Sequence, residues 1–381
     1  GNADASYMVK INEGRTVLKV TGRAAYSGSD SETRFHNRTE YLNPYSLEVT
    51  NQFYNLGSET ANYTAGLSLT QKVSRLSYID LAINAGYSSE DLMRRQGDIS
   101  EGMVPLPMLS PDFIKTERSV RPGITWKRST TKSQLTLAVV TSLGEYSTEL
   151  NDTGWKRTGY LFLTPRASWE YEYRSGRRLM LDYSSAVTTP GASQLLPVVN
   201  NINSLSLFYG NRDLRPEYSH TARASWWLFD QFSFTTLLTG MSMSYTRDRT
   251  GYARTVDENL GQTVSLINVK DDWRAGGNID FSTPFKPLGI KVNLSLDEEY
   301  NRGMSIINGT ENISSGFTHR VSLTVDNRKK EKWDIGTGST VTFTNTTYSV
   351  QSMLNNNYHD ISWFAEARYT PGVHFSFMAS A

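Results

Sequence analysis

Five histidines, His36, His220, His319, His359 and His374, are the side chains best suited to hold a metal or move a proton near neutral pH. No two of them stand at His-x-x-x-His spacing, so no local element sets two imidazoles on one ion. His220 follows a long irregular segment and reads as a surface residue. A serine nucleophile would need a strained elbow to present it, and the chain has no Gly-x-Ser-x-Gly. Neighbouring carboxylates occur at Glu90-Asp91, Asp271-Asp272 and Asp297-Glu298-Glu299. Such runs could bind calcium in a loop, but charged strand ends account for them without an ion. Gly276-Gly277 lies in neither a phosphate-cradling loop nor a dinucleotide fingerprint. The pattern predicts no enzyme, no metal and no cofactor.

The elements that would position any site are strands. The chain has 381 residues, no cysteine, 12% aromatics including 21 tyrosines and 8 tryptophans, and 39 basic against 38 acidic side chains. That charge balance gives no electrostatic reason to expect a nucleic-acid partner. The absence of cysteine excludes a disulfide framework and thiolate metal sites. No run of eighteen apolar residues exists, so no transmembrane helix is expected. A membrane remains compatible with this, because a barrel strand shows lipid only every second side chain and its mean hydropathy stays low.

Alternation with period two recurs along the chain. In residues 178–187, Leu179, Leu181, Tyr183 and Val187 fall on one face, against Arg178, Asp182 and Ser184 on the other. Ile79, Leu81, Ile83 and Ala85 alternate with Asp80 and Asn84; Ile290, Val292, Leu294 and Leu296 alternate with Lys291, Asn293, Ser295 and Asp297. Read this way, strands fall at residues 7–11, 16–26, 63–73, 78–87, 120–126, 134–143, 160–173, 178–187, 220–229, 232–245, 264–281, 290–300, 317–325, 335–344, 361–369 and 373–378. Long loops are expected at residues 27–59, with an Asn43-Pro44 breaker, at 88–117, with Pro105, Pro107 and Pro111, and at 189–218. Short polar turns join the other strand ends, and a further connection contains Asn308-Gly309.

The short turns carry Lys127, Arg128, Lys132, Arg174, Arg177, Arg178, Arg328, Lys329, Lys330 and Lys332. These either cap strand edges or form a basic set at an inner membrane rim. Tyr160, Trp169, Tyr171, Tyr173, Trp226, Trp227, Trp273, Trp333, Trp363 and Tyr369 cluster near strand ends. In a soluble sandwich they would be core; strand length and loop asymmetry favour girdles at two membrane boundaries.

The segment that carries Pro190, Gln194, Leu195, Pro197, Gly210, Asn211, Leu214, Pro216 and Glu217 resembles a motif of the TonB-dependent-receptor-like outer membrane β-barrel proteins of Bacteroidetes-type bacteria. It departs from the motif at Arg212, where that family usually has proline. The motif residues read as structural: Gly210 and Asn211 tolerate turn dihedrals and Pro216 fixes the chain on its way back to a strand. The alternative is contact with a ligand arriving from outside.

The fold expected is all-β, a transmembrane antiparallel up-and-down β-barrel. About sixteen strands are present, against the roughly twenty-two that the resemblance implies. The resemblance also implies a plug and closing strands outside this sequence. Residues 1–5 carry no leader, so either a leader has been processed away or the chain begins inside a longer one, and the second is preferred. The function expected is the barrel portion of an importer in the bacterial outer membrane, with lipid around it and TonB acting through the plug. The alternative is an assembly barrel that anchors a surface lipoprotein or secretion partner without transport. A soluble sandwich or adhesin is a third reading.

Overall fold

The structure, a computed structural model, describes all residues except 43, 44, 100, 101, 204, 259, 260, 328, 330, 331, 351, 373, 374 and 381. Expectations for Asn43-Pro44, Arg328, Lys330, Val373 and His374 therefore lie outside the described residues.

The strands are β1 (Asn2–Ile11), β2 (Thr16–Leu42), β3 (Tyr45–Lys72), β4 (Ser77–Asp98), β5 (Val104–Pro105), β6 (Asp112–Ser129), β7 (Ser133–Leu150), β8 (Lys156–Arg174) and β9 (Arg177–Thr188). They continue with β10 (Ser206–Tyr209), β11 (Glu217–Asp230), β12 (Thr235–Val256), β13 (Gln262–Phe285), β14 (Ile290–Ile307), β15 (Thr310–Asn327), β16 (Trp333–Tyr348), β17 (Asn356–Gly372) and β18 (Phe375–Ser380). All eighteen belong to one sheet. β5 and β10 are short pairings inside loops, which leaves the sixteen long strands expected. Each long strand pairs antiparallel with the long strand before and after it, an up-and-down meander. β1 and β18 end the ladder, and among the described residues they do not pair with each other.

The registers keep one parity apolar from strand to strand. Leu18, Leu69, Leu81, Ile124 and Val139 pair in succession across β2, β3, β4, β6 and β7. Leu296, Val321, Val341 and Ile361 do the same across β14 to β17. This face is open: Met241 is 71% exposed and Ile361 69%. The other parity is polar, with Ser295, Ser322, Thr340 and Ser362 in succession and Asp297 opposite Arg320. Hydrogen bonds lace it, Ser295 Oγ donating to Asp280 Oδ1 at 2.6 Å and Thr340 Oγ1 to Ser322 Oγ at 2.9 Å. A sheet with an exposed apolar face and a hydrogen-bonded polar face is built for hydrocarbon outside and water inside. Lys291, Asn293, Ser295 and Asp297, set opposite the apolar face in the sequence, share the polar parity with Arg320, Ser322, Thr324, Glu366 and Arg368.

Several boundaries differ from the sequence reading. Residues 27–42 and 45–59 are not loop: β2 and β3 pair without interruption from Thr16↔Gln71 to Leu42↔Tyr45, as strands of 27 and 28 residues. A tilted span needs about nine to eleven residues, so much of this hairpin stands clear of the membrane. Its polar composition hid the strands, since neither face there meets lipid. For the same reason β4 reaches Asp98 and β6 starts at Asp112, which shrinks the second loop to residues 99–111. Connections on the outer side are therefore often short, as at Asn308-Gly309, a two-residue turn with φ of 48° and 79°. The turn after β11 is longer than Asp230-Gln231: Phe234 takes a φ of 57° and β12 begins at Thr235. There Asp230 Oδ1 accepts the Phe232 amide at 2.9 Å, a bond that holds the carboxyl below its ordinary pKa.

Two aromatics assigned to girdles point inward instead. Trp227 lies on the polar parity, with the Arg178 guanidinium 5.9 Å from its ring centre. Tyr160 is buried beneath the long loop.

Candidate functional site: the inward-folded loop

β9 and β11 are direct neighbours, so the connection between them, residues 189–216, is free to project outward. Instead it folds onto the polar face of the wall. Ala192, Leu195, Leu196 and Leu214 form one buried cluster with wall residues Leu92, Phe113, Tyr146, Tyr160 and Leu266. Leu195, Leu214 and Phe113 are 0% exposed. On β4, β6 and β7 these wall residues occupy the inward parity that lower down carries Asn84, Arg121 and Ser142. An apolar seat is thus set into an otherwise wet surface, and burial of the loop's leucines against it supplies the driving force for the inward fold.

The nine motif residues all lie in this loop or at its exit. Pro190 and Pro216 are buried at its two ends. The Gln194 Oε1 accepts the Gly191 amide at 2.9 Å and closes a single helical turn, Ala192–Leu195. Pro197 follows, half-buried. The Gly210 amide donates to Leu196 O at 3.0 Å and the Asn211 amide to Gln194 O at 2.8 Å, which ties the outgoing limb to the incoming one. Only glycine fits at 210, since a Cβ there would lie 2.4 Å from Leu196 O. The Asn211 side chain accepts the Asp213 amide at 2.8 Å and donates to Leu266 O at 2.9 Å. Glu217 Oε1 accepts the Thr250 amide at 2.8 Å, just beyond the last pairing of β11 with β12, Tyr218↔Arg247. At the position of departure, Arg212 donates from Nε to Thr148 Oγ1 at 3.0 Å and from Nη2 to Thr148 O at 2.6 Å, gripping β7.

The wall contributes Lys115, Glu117, Arg94 and Gln96, which the sequence reading did not single out, and joins them to Glu90 and Tyr160, which it named for other reasons. Lys115 Nζ lies 2.8 Å from Glu90 Oε1 and 3.5 Å from Glu117 Oε2. Glu90 Oε2 accepts the Ala192 amide at 2.8 Å, and Glu117 accepts hydroxyls from Thr189 at 2.5 Å and Tyr160 at 2.8 Å. Arg94, 2% exposed, donates to Leu109 O at 2.9 Å and Val199 O at 2.8 Å, joining the two loops. Gln96 Nε2 reaches Asn201 Oδ1 at 2.5 Å. The one local signal was Leu92 and Phe113 breaking the polar parity.

Beside the seat lies a polar recess of about 370 Å³ lined by Asn62, Asn84, Glu117, Arg121, Ser142 and Thr189. Across the wall a groove of about 800 Å³ carries Asp182, Arg223, Arg274, Asp297, Glu299 and Arg320. In the carboxylate runs strand alternation sends neighbours to opposite faces. Asp271 accepts the Tyr245 hydroxyl at 2.6 Å while Asp272 pairs with Arg249. Glu298 pairs with His319 on the outward face while Asp297 and Glu299 point inward. His220 Nδ1 lies 2.7 Å from the Tyr183 hydroxyl, within a band of outward-facing rings.

The sheet is similar to three solved receptors. One is the ferric-catecholate import receptor Fiu from K12 E. coli, with a TM-score of 0.51 at 11% identity over 99% of this chain and 58% of that chain. The second is the ferric citrate transporter FecA in its unliganded form, at 0.56 and 13%, over 98% and 54%. The third is the pyoverdine outer membrane receptor FpvA from Pseudomonas aeruginosa PAO1, at 0.51 and 14%, over 100% and 56%. The chain thus spans a little over half the length of each. No curated protein matches the sequence. The pattern of the outer membrane protein beta-barrel family matches residues 10–381. With its two-faced meander and this match over nearly its whole length, the chain belongs to the outer membrane protein β-barrel family, a barrel of the bacterial outer membrane.

Proposed function

We propose that the chain forms barrel wall for the import of a solute across the outer membrane, acting as a receptor and not as a catalyst, with TonB supplying the energy through a plug. The observation that carries this reading is the inward-folded loop: a pore wall that seats one of its own loops in its lumen, beside charged and hydroxyl-lined recesses, is organised to control passage. Lipid faces the apolar parity of the wall. Growth on a limiting solute should be lost on deletion of the gene and equally on deletion of the TonB system. Normal uptake of every tested solute in both deletions would overturn the reading.

A second reading, anchorage of a surface lipoprotein or other partner, is favoured by one feature. The β2–β3 hairpin carries Leu42, Tyr45, Leu47 and Val49 exposed on its outward parity, where the strand lengths place them in water. Replacing residues 30–57 by Asn-Gly separates the two: loss of a co-purifying partner with uptake intact supports anchorage, and unchanged association rejects it.

A further inference from the structure

The two limbs of the inward loop are fastened by different chemistry. The outgoing limb is held by bonds to backbone: Asn211 to Leu266 O, the Tyr146 hydroxyl to Leu214 O, and Asn268 both to the Arg215 amide at 2.7 Å and to Arg215 O at 3.1 Å. Charge enters this limb at Arg212, which grips Thr148, and at the exposed Asp213, which pairs with Lys156. The incoming limb hangs from two carboxylates. Glu90 holds the Ala192 amide, and Glu117 holds the Thr189 hydroxyl. Both converge on one ammonium, Lys115, whose side chain is 4% exposed, against 28% for Glu90 and 15% for Glu117. Without that ammonium, two like charges would face each other in a site with little water, and each would turn toward solvent or take up a proton. Either response pulls the acceptor oxygens from the loop or weakens them.

We propose that Lys115 is a latch: by drawing Glu90 and Glu117 together it holds the 189–196 limb down in the lumen, so that the loop behaves as a strap fixed at its outgoing end and releasable at its incoming end. The outgoing limb then acts as the hinge, since Gly210 and Asn211 stitch the two limbs only while the helical turn Ala192–Leu195 is seated. Release uncovers the apolar seat at Leu92 and Phe113 and widens the lumen beside the Arg121 recess. The proposal does not depend on which solute passes or on whether import is TonB-driven.

Hydrogen exchange followed by mass spectrometry on the full chain in lipid nanodiscs tests it. Lys115→Met should raise amide exchange over residues 190–196 by roughly a hundredfold, with that of Asn211, whose bond to Gln194 O is lost, rising too, and residues 213–217 and strands β13 to β15 unchanged. The triple variant Lys115→Met/Glu90→Gln/Glu117→Gln keeps the acceptor oxygens without their charge, and should return exchange to within about tenfold of wild type. Wild-type protection in Lys115→Met, loss of protection spread over the whole wall, or a triple variant as exposed as the single one would each overturn the latch.

Discussion

Gly210 shows how tightly the two limbs of the loop are stitched. A methyl group there would meet Leu196 O at 2.4 Å and Gln194 O at 2.7 Å, both backbone atoms that cannot turn aside. Gly210→Ala should therefore destabilise the seated loop by about 1–3 kcal/mol, read as faster exchange of the Leu195 and Leu196 amides, while Gly159→Ala, with only a contact of 3.9 Å, should be silent. At this scale the sequence was informative where chemistry is local. Glycine, asparagine and proline declare local chain geometry within a few residues, so the motif from Pro190 to Glu217 could be read as structural, though Gly210 and Asn211 take no positive φ and act through close approach and side-chain bonds. What Glu90, Lys115 and Glu117 do together could not be found the same way. Their meaning depends on β4 and β6 being neighbours and on a loop that arrives over seventy residues later in the chain.

Strands declare themselves through alternation, and alternation exists only where the two faces meet different solvents. Within the membrane band this made β14 and β15 legible. Beyond it, β2 and β3 run on through Ser, Thr, Asp, Glu and Asn with water on both sides, and a real ladder read as a loop. Tyr160 failed for a related reason, since the rule that rings near strand ends face lipid yields where a loop supplies an apolar seat inside. The alternation predicts unequal costs for one charge on adjacent residues of β12. Met241, 71% exposed on the apolar parity, should cost about 2–4 kcal/mol as Met241→Arg, and Ser242→Arg on the polar parity less than about 1 kcal/mol, measured as folding free energy into lipid vesicles.

For the whole molecule, the fold of the strand meander is similar to that of receptors only 11–14% identical in sequence. That distance is expected if the bilayer imposes pairing and alternation but leaves the identity of each outward or inward side chain nearly free. The solute was never legible for the same reason, because it would be chosen by a few inward groups such as Arg121, Asp182 and Arg223 that share their parity with dozens of merely wet positions. The central claim, that alternate residues touch lipid and water, is tested most directly by spin labels placed singly at residues 292 to 297 of the protein in lipid nanodiscs. The labels at Val292, Leu294 and Leu296 should collide with dissolved oxygen far more than with a polar nickel chelate, and those at Asn293, Ser295 and Asp297 should show the reverse. Equal accessibility along the six positions, or apolar positions shielded from both reagents, would contradict it.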